Sequence, residues 1–160
     1  MTGNDVPAPP KSSGPEGSPG FMLWRATLRW QRAIAAALRP VTLTHVQFVL
    51  LANVWWLSAQ ASLTHHLPSQ REVAAHAGVD VMMTSQVLRA LERRGLLARA
   101  PDPTDARVKR LAVTQDGRRL AEQAINLVEE ADALFFNHVT SPAPLLDLLR
   151  QLSRGPGVGN

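Results

Sequence analysis

The 160-residue chain contains no cysteine. Disulfides, thiolate metal sites and thiol redox chemistry are excluded with it. Tyrosine is absent too, so four Trp and four Phe supply all the aromatic side chains. No apolar run approaches the ~20 residues of a membrane-crossing helix; the longest, Phe48 to Leu57, is interrupted by Asn53. The start of the chain lacks a basic segment followed by an apolar block and a small-residue cleavage site, so no secretory signal is expected and a cytoplasmic location is. Phosphate-binding Gly-rich loops, the dinucleotide fingerprint, the Gly-x-Ser-x-Gly elbow and His-Glu-x-x-His are also missing, which leaves an enzyme reading unsupported and no cofactor expected. The five histidines do not cluster: His65 and His66 are adjacent rather than four apart on a helix, so the spacing predicts no metal site. Folding could still gather His45, His76 or His138, which keeps a metal-responsive sensor as an alternative.

What the chain does have is an ordinary globular composition, 45% hydrophobic and 19% charged, at a length suited to one domain. Its net charge of +4 is concentrated. Residues 80 to 119 hold nine basic side chains, Arg89, Arg93, Arg94, Arg99, Arg107, Lys109, Arg110, Arg118 and Arg119, against five acidic ones, and the remaining chain is balanced. A local basic surplus in a neutral scaffold is the electrostatic footprint expected of a protein that meets a polyanion.

Periodicity predicts a mainly α fold with a small β-hairpin. Residues 1 to 20, rich in Pro, Gly and Ser, read as a disordered N-terminal tail. A helix from Phe21 to Leu38 follows, with Trp24, Leu28, Ala35 and Leu38 on one stripe, ended by Pro40. Thr44 and Gln47 have capping-box spacing, with Leu43 and Phe48 placed as a hydrophobic staple, opening a nearly all-apolar helix from His45 to Ala59. Such a helix is covered on several sides. Ala61 to Pro68 reads as a loop with a brief extended piece at Leu63. Ser69 and Glu72 repeat the capping-box spacing for a helix to Ala77, Gly78 closes it, and Asp80 caps another helix running to about Arg94. Two short helices joined by a tight Gly-containing turn form a helix-turn-helix. The second buries Thr84, Val87, Leu88 and Leu91, leaving Met82, Ser85, Gln86, Arg89 and Arg93 on the opposite stripe; Met83 is expected in the core. Strands over Leu96–Ala100 and Arg107–Val113, joined by a turn-rich tip, make a hairpin wing. Thr114 caps a helix to about His138, Ser141 and Pro142 start a last one with Leu145, Leu148, Leu149 and Leu152 on one stripe, and residues 155 to 160 form a flexible end. The single domain thus covers 21–154: a winged helix-turn-helix at about 43–114, and helices at about 21–39 and 115–154 whose apolar surface exceeds what one neighbour covers. Pairing these end helices with a second copy would bury that surface.

These features carry a chemistry. An α-helix fits the B-DNA major groove, where Ser85, Gln86 and Arg89 match base edges and Met82 can touch a thymine methyl. Ser69, Gln70 and Arg71 stand at a helix N-terminus suited to phosphate, although Ser69 also serves as a plain cap. Arg107 and Lys109 share one face of a strand and Arg110 the other. Arg107 suits a narrow minor groove, with Asp105 to orient it. Without DNA, the same residues would be a solvated helix face and a charged hairpin, and the domain a protein-interaction module. Trp24, His45, Trp55 and Trp56 are candidates for walling a small-ligand pocket; core and dimer packing is the other reading.

The motifs Leu43-Thr44-x-x-Gln47-Phe48-x-x-Leu51, Ser69-Gln70-Arg71-Glu72-Val73-Ala74, Leu91-Glu92-Arg93-Arg94-Gly95-Leu96 and Pro101-Asp102-Pro103-Thr104-Asp105-Ala106-Arg107, followed by Leu111, Thr114 and Gly117, resemble in order and spacing those of the MarR family of bacterial transcriptional regulators. The resemblance implies a homodimeric winged-helix regulator, more often a repressor, on a pseudo-palindromic operator in double-stranded DNA. It implies that the second helix of the motif enters the major groove and that Asp105 and Arg107 match the Asp-x-Arg of the wing tip. It also implies release by small aromatic or phenolic effectors bound near the first two helices. The recognition-helix start, Val81-Met82-Met83, is more apolar than the family's Ser/Arg-rich start. Absence of cysteine sets the chain apart from the family's thiol-sensing branch.

Overall fold

The computed structural model describes residues 14–61 and 66–154. The expectations for residues 1–13, Leu63 and the C-terminal 155–160 fall outside the described residues. Residues 14–20 depart from the expected featureless tail. Pro15–Gly17 form a 3-10 turn, and helix α1 (Pro19–Ala37) begins two residues earlier than expected. Ser18 accepts from the Phe21 amide at 3.4 Å and Pro19 occupies the first turn, where its missing N–H costs nothing.

Helix α1 buries Ile34, and Leu38 just beyond its end, while Trp24 and Ala35 of the expected stripe are exposed. Helix α2 (His45–Ala59) opens with the expected capping box: Gln47 N–H donates to the Thr44 hydroxyl at 3.3 Å, and Thr44 N–H to the Gln47 side chain at 3.0 Å. Its Leu50, Leu51 and Val54 have no exposed surface, and helices on several sides cover it, as its all-round apolarity predicts.

Helix α3 (Gln70–Ala77) ends at Gly78 with φ 65°, a left-handed conformation that glycine adopts without strain, and the chain turns directly into α4 (Val81–Arg93). Helix α4 buries Thr84, Leu88 and Leu91. Met83, expected in the core, is half exposed. One residue is ~100° of helix, so Met83 is turned away from the stripe that Thr84 begins.

Strands β1 (Leu97–Pro101) and β2 (Lys109–Val113) pair antiparallel with Leu97 opposite Val113 and Pro101 opposite Lys109. The loop before α3 adds a stub of a third strand: Leu111 N–H donates to the Pro68 carbonyl at 2.8 Å, and Ser69 bridges to Arg110. Helix α5 (Gln115–Phe136) starts at the Thr114 cap, and its Gly117 lies against the Leu96 carbonyl. Helix α6 (Pro142–Arg154) buries none of its residues, and Leu146, Leu148 and Leu152 stand exposed. The result is a winged helix-turn-helix of α2–α4 and the hairpin, with α1 packed on α5 beside it.

Candidate nucleic-acid interface

Three segments meet around one open cleft of about 680 Å³: the start of α3 (Ser69, Gln70, Arg71), the start of α4 (Val81) and the wing (Arg107, Val108, Lys109), with Arg99. Five of the expected nucleic-acid residues are therefore brought together. Met82, Gln86 and Arg89 are exposed on the face of α4 opposite its buried stripe, and Ser85 is half-buried beside them. Val81 and Arg99, named in the sequence only as part of the apolar helix start and the basic surplus, were not among the expected nucleic-acid contacts. Both enter the site because they line the cleft, and Arg99 is held there by a 3.0 Å ion pair with Glu92.

Local capping chemistry positions the helix starts. At α3 the Ser69 hydroxyl accepts from Glu72 N–H, and the Glu72 carboxylate accepts from Ser69 N–H at 2.7 Å. At α4 one Asp80 carboxylate oxygen accepts from the amides of Met82 and Met83 at 2.9 and 3.0 Å.

The wing is built on two aspartates. Asp105 accepts from the Arg107 amide and Nε, both at 3.0 Å, and from Nη2 at 3.3 Å, a two-pronged grip on a guanidinium whose side chain is 91% exposed. Those contacts, the side-chain one foremost, hold the Asp105 carboxyl below its ordinary value. Asp102, 8% exposed, organises the tip from inside. One of its oxygens accepts from Thr104 N–H, the Thr104 hydroxyl and Asp105 N–H at 2.8, 2.6 and 3.0 Å; the other accepts from Arg110 Nε at 2.6 Å. Hydrogen bonds from the Thr104 side chain and then from Arg110 hold its carboxyl far below the usual carboxylate range.

Strand β2 starts at Lys109, two residues later than expected, so Arg107 lies in the turn of the tip. Arg110 points inward, as strand alternation requires with Lys109 facing out. Its Nη1 donates to the Leu67 carbonyl at 3.0 Å and to Glu72 at 3.2 Å. Burial raises the Glu72 pKa, but Ser69, His66 and Arg110 outweigh it and the net shift is downward. One carboxylate thus caps α3 and anchors the wing. The basic surplus accordingly divides: Arg94 donates to the Thr42 carbonyl and hydroxyl, Arg99 pairs with Glu92, Arg110 with Asp102 and Arg119 with Asp116, and Arg118 lies over Trp55, while Arg89, Arg93, Lys109 and the Asp105-held Arg107 project outward. Sequence counting could not separate the two groups, because the partners lie up to 52 residues away.

The four residues considered for a ligand pocket have separate neighbours. Trp24 faces Phe21, Trp56 stacks on His76 at 4.7 Å, Arg118 lies over the Trp55 ring, and the His45 ring meets Trp30 edge-on at 5.0 Å. Trp30 donates its indole N–H to Asp132 at 2.7 Å, tying α1 to α5. Burial lowers the His45 pKa, with Asp132 opposing it. A second cleft, of about 440 Å³, opens between α1 and α5, with Ala33, Ala37, Ala131, Leu134 and Phe135 as apolar walls and Arg29 and His138 as polar lining. Among the described residues, no three His, Asp or Glu gather where a metal ion could be held, and no helix is long and apolar enough to cross a membrane.

A family model described as the MarR family matches residues 43–109, from the staple residue of α2 into the wing. The chain is 37% identical over 142 residues to the HTH-type transcriptional regulator YdcH of Bacillus subtilis, covering 89% of this chain and 94% of that protein. It is 34% identical over 123 residues to the HTH-type transcriptional repressor Rv2887 of Mycobacterium tuberculosis, covering 77% and 83%. Among solved structures it is similar to CouR from Rhodococcus jostii RHA1 bound to p-coumaroyl-CoA, with a TM-score of 0.76 and 29% identity over 92% of this chain and all of that one. The transcriptional repressor CouR bound to a 23-mer DNA duplex superimposes with a TM-score of 0.73 and 28% identity, covering 92% and 98%. With 37% identity over 89% of its length to a transcriptional regulator and the MarR family match across its helix-turn-helix and wing, the chain belongs to the MarR family and is a transcriptional regulator, not an enzyme.

Proposed function

We propose that the protein is a cytoplasmic, homodimeric repressor that binds a pseudo-palindromic operator in double-stranded DNA and leaves it when a small aromatic ligand binds. The observation that carries the DNA reading is the convergence of the α3 start, the α4 start and the wing around one cleft, with Met82, Gln86 and Arg89 exposed on the helix that begins there. In this reading Ser69, Gln70, Arg71 and Lys109 hold phosphates. Met82, Ser85, Gln86 and Arg89 face base edges, Gln suiting adenine and Arg guanine. Arg107, aimed by Asp105, enters the minor groove, whose negative potential favours a guanidinium.

The dimer is supported by α6, which buries none of its residues, together with the exposed Met22, Leu23, Trp24 and Leu134. A second copy covering that surface sets two α4 helices about one DNA turn apart. Repression and ligand release are supported by likeness to repressors and to a regulator bound to a small molecule. The cleft between α1 and α5 suits an effector with an aromatic body and an anionic group facing Arg29. To release an operator it must favour the non-binding arrangement by a few kcal/mol.

Selection of bound sequences from random duplex DNA, followed by sedimentation of the complex, tests the proposal. The expected result is an inverted repeat bound by two protomers. A selected pool without enrichment refutes it.

A further inference from the structure

Helix α4 begins with three exposed apolar side chains: Val81, Met82 and Met83 are 51%, 74% and 50% exposed. Met82 is not at the margin of the polar face. It lies four, seven and eleven residues before Gln86, Arg89 and Arg93, in the middle of the stripe opposite Thr84, Leu88 and Leu91. Within the chain α4 packs on α2, α3 and β1, away from the exposed apolar residues of α1, α5 and α6, so this patch does not continue the surface assigned to the second copy.

Two neighbouring features define what would cover it. The Asp80 carboxylate already takes the amides of Met82 and Met83, so this helix start offers a phosphate few free donors and a repelling negative charge. Arg71, Arg107 and Lys109 nevertheless surround the cleft that Val81 lines. Phosphates are thus drawn to the flanks while the helix tip is left over the groove floor. The 5-methyl group of thymine is the apolar feature that the major groove offers there. Methionine, flexible and polarisable, fits round such a group.

We infer that Met82 is a specificity-determining residue that reads a thymine methyl in each half-site, so that thymine is selected there for its methyl group. This deepens the DNA reading above and rests on it.

The test uses the sequence enriched from random duplex DNA, with each thymine replaced singly by deoxyuridine, which removes only the methyl. Wild-type binding, read by fluorescence anisotropy, should weaken about fourfold at the contacted position, the equivalent of one lost buried methyl, and stay unchanged elsewhere. Met82→Ala, at a site with no buried side chain to disturb, should bind the thymine duplex about fourfold more weakly and no longer distinguish thymine from deoxyuridine. Met82→Leu should retain the distinction. Wild-type binding indifferent to deoxyuridine at every position, or an equal loss in wild type and Met82→Ala, overturns the inference and leaves the DNA reading intact. Capture of an apolar peptide or protein by this patch, blocked by Met82→Ala with duplex binding untouched, would overturn it too. If no duplex is enriched at all, the DNA reading fails and this inference with it.

Discussion

Gly117, in the first turn of α5, should respond to alanine with the opposite sign from an ordinary helical glycine. At an open helix position Gly→Ala stabilises by up to ~1 kcal/mol, because alanine loses less backbone entropy on folding. A Cβ at Gly117 would sit 2.0 Å from the Leu96 carbonyl oxygen and 2.9 Å from both the Leu96 carbonyl carbon and Val113 Cγ1. The first distance is 1.0 Å short of the 3.0 Å limit that real Cβ contacts respect. The obstacle is backbone and cannot swing aside, and that carbonyl accepts from Thr114 N–H at 3.1 Å. Overpacking costs ~1–3 kcal/mol or more, and disturbing the hydrogen bond adds ~1 kcal/mol. Against the helix gain, Gly117→Ala should lose about 3 kcal/mol, lowering the melting temperature by roughly 6–12 °C at this chain length. The control is Gly20→Ala in α1, where a Cβ meets nothing within 4 Å and the melting temperature should hold or rise. Circular dichroism melts of both variants at one protein concentration decide it, since the proposed dimer would make the midpoint concentration-dependent. Gly117→Ala at least as stable as wild type would refute the reasoning.

Removing Arg107 by Arg107→Ala should weaken binding across duplex sequences and make the log affinity against log salt plot shallower by about 1 per protomer, read by anisotropy over a salt series. An unchanged slope would place Arg107 off the DNA. Leu88→Ala deletes a side chain with no exposed surface and should cost ~2–5 kcal/mol in urea denaturation. For Asp102 the folded carboxyl titrates below its unfolded value, so its contribution is fully present above about pH 4 and is lost as pH falls through and below that value. Urea midpoints measured from pH 6 down to pH 3 should therefore fall more steeply at the acid end for wild type than for Asp102→Asn. Parallel curves would show that Asp102 is not the group responsible.

Local chemistry made much of this fold legible. Both capping boxes, Gly78 at the turn and the Thr84–Leu88–Leu91 stripe are short-range patterns whose physics is complete within a few residues. The start of α1 had a signal too, Ser18 before Pro19, masked by the glycines and prolines around it. What local pattern could not carry was pairing across the chain: the bridge from Pro68 and Ser69 to β2, the bonds from Arg110 to Asp102 and Glu72, and the distribution of four tryptophans among different partners. Apolarity alone does not place Met83 in the core, because one residue before Thr84 it is turned off the buried stripe and stands half exposed. Alternation placed Lys109 outward and Arg110 inward, whereas Arg107 lies in the tip turn, outside the strand expected to hold it, and only folding supplied Arg110 with its counter-charges.

The Thr114 junction has a mechanical consequence. Its hydroxyl donates to the Gly95 carbonyl at 2.7 Å and accepts from Gly117 N–H at 3.0 Å, while its amide donates to Leu96, so the base of the hairpin and the first turn of α5 are clamped together. Helix α5 has 22 residues, an arm of ~33 Å. Pivoted at its far end, a tilt of about 5° would swing the clamped end by roughly 3 Å, close to one base-pair step of DNA. A rotation of α5 about its Leu134–Phe135 end would therefore reach the wing as a displacement set by the length of that arm.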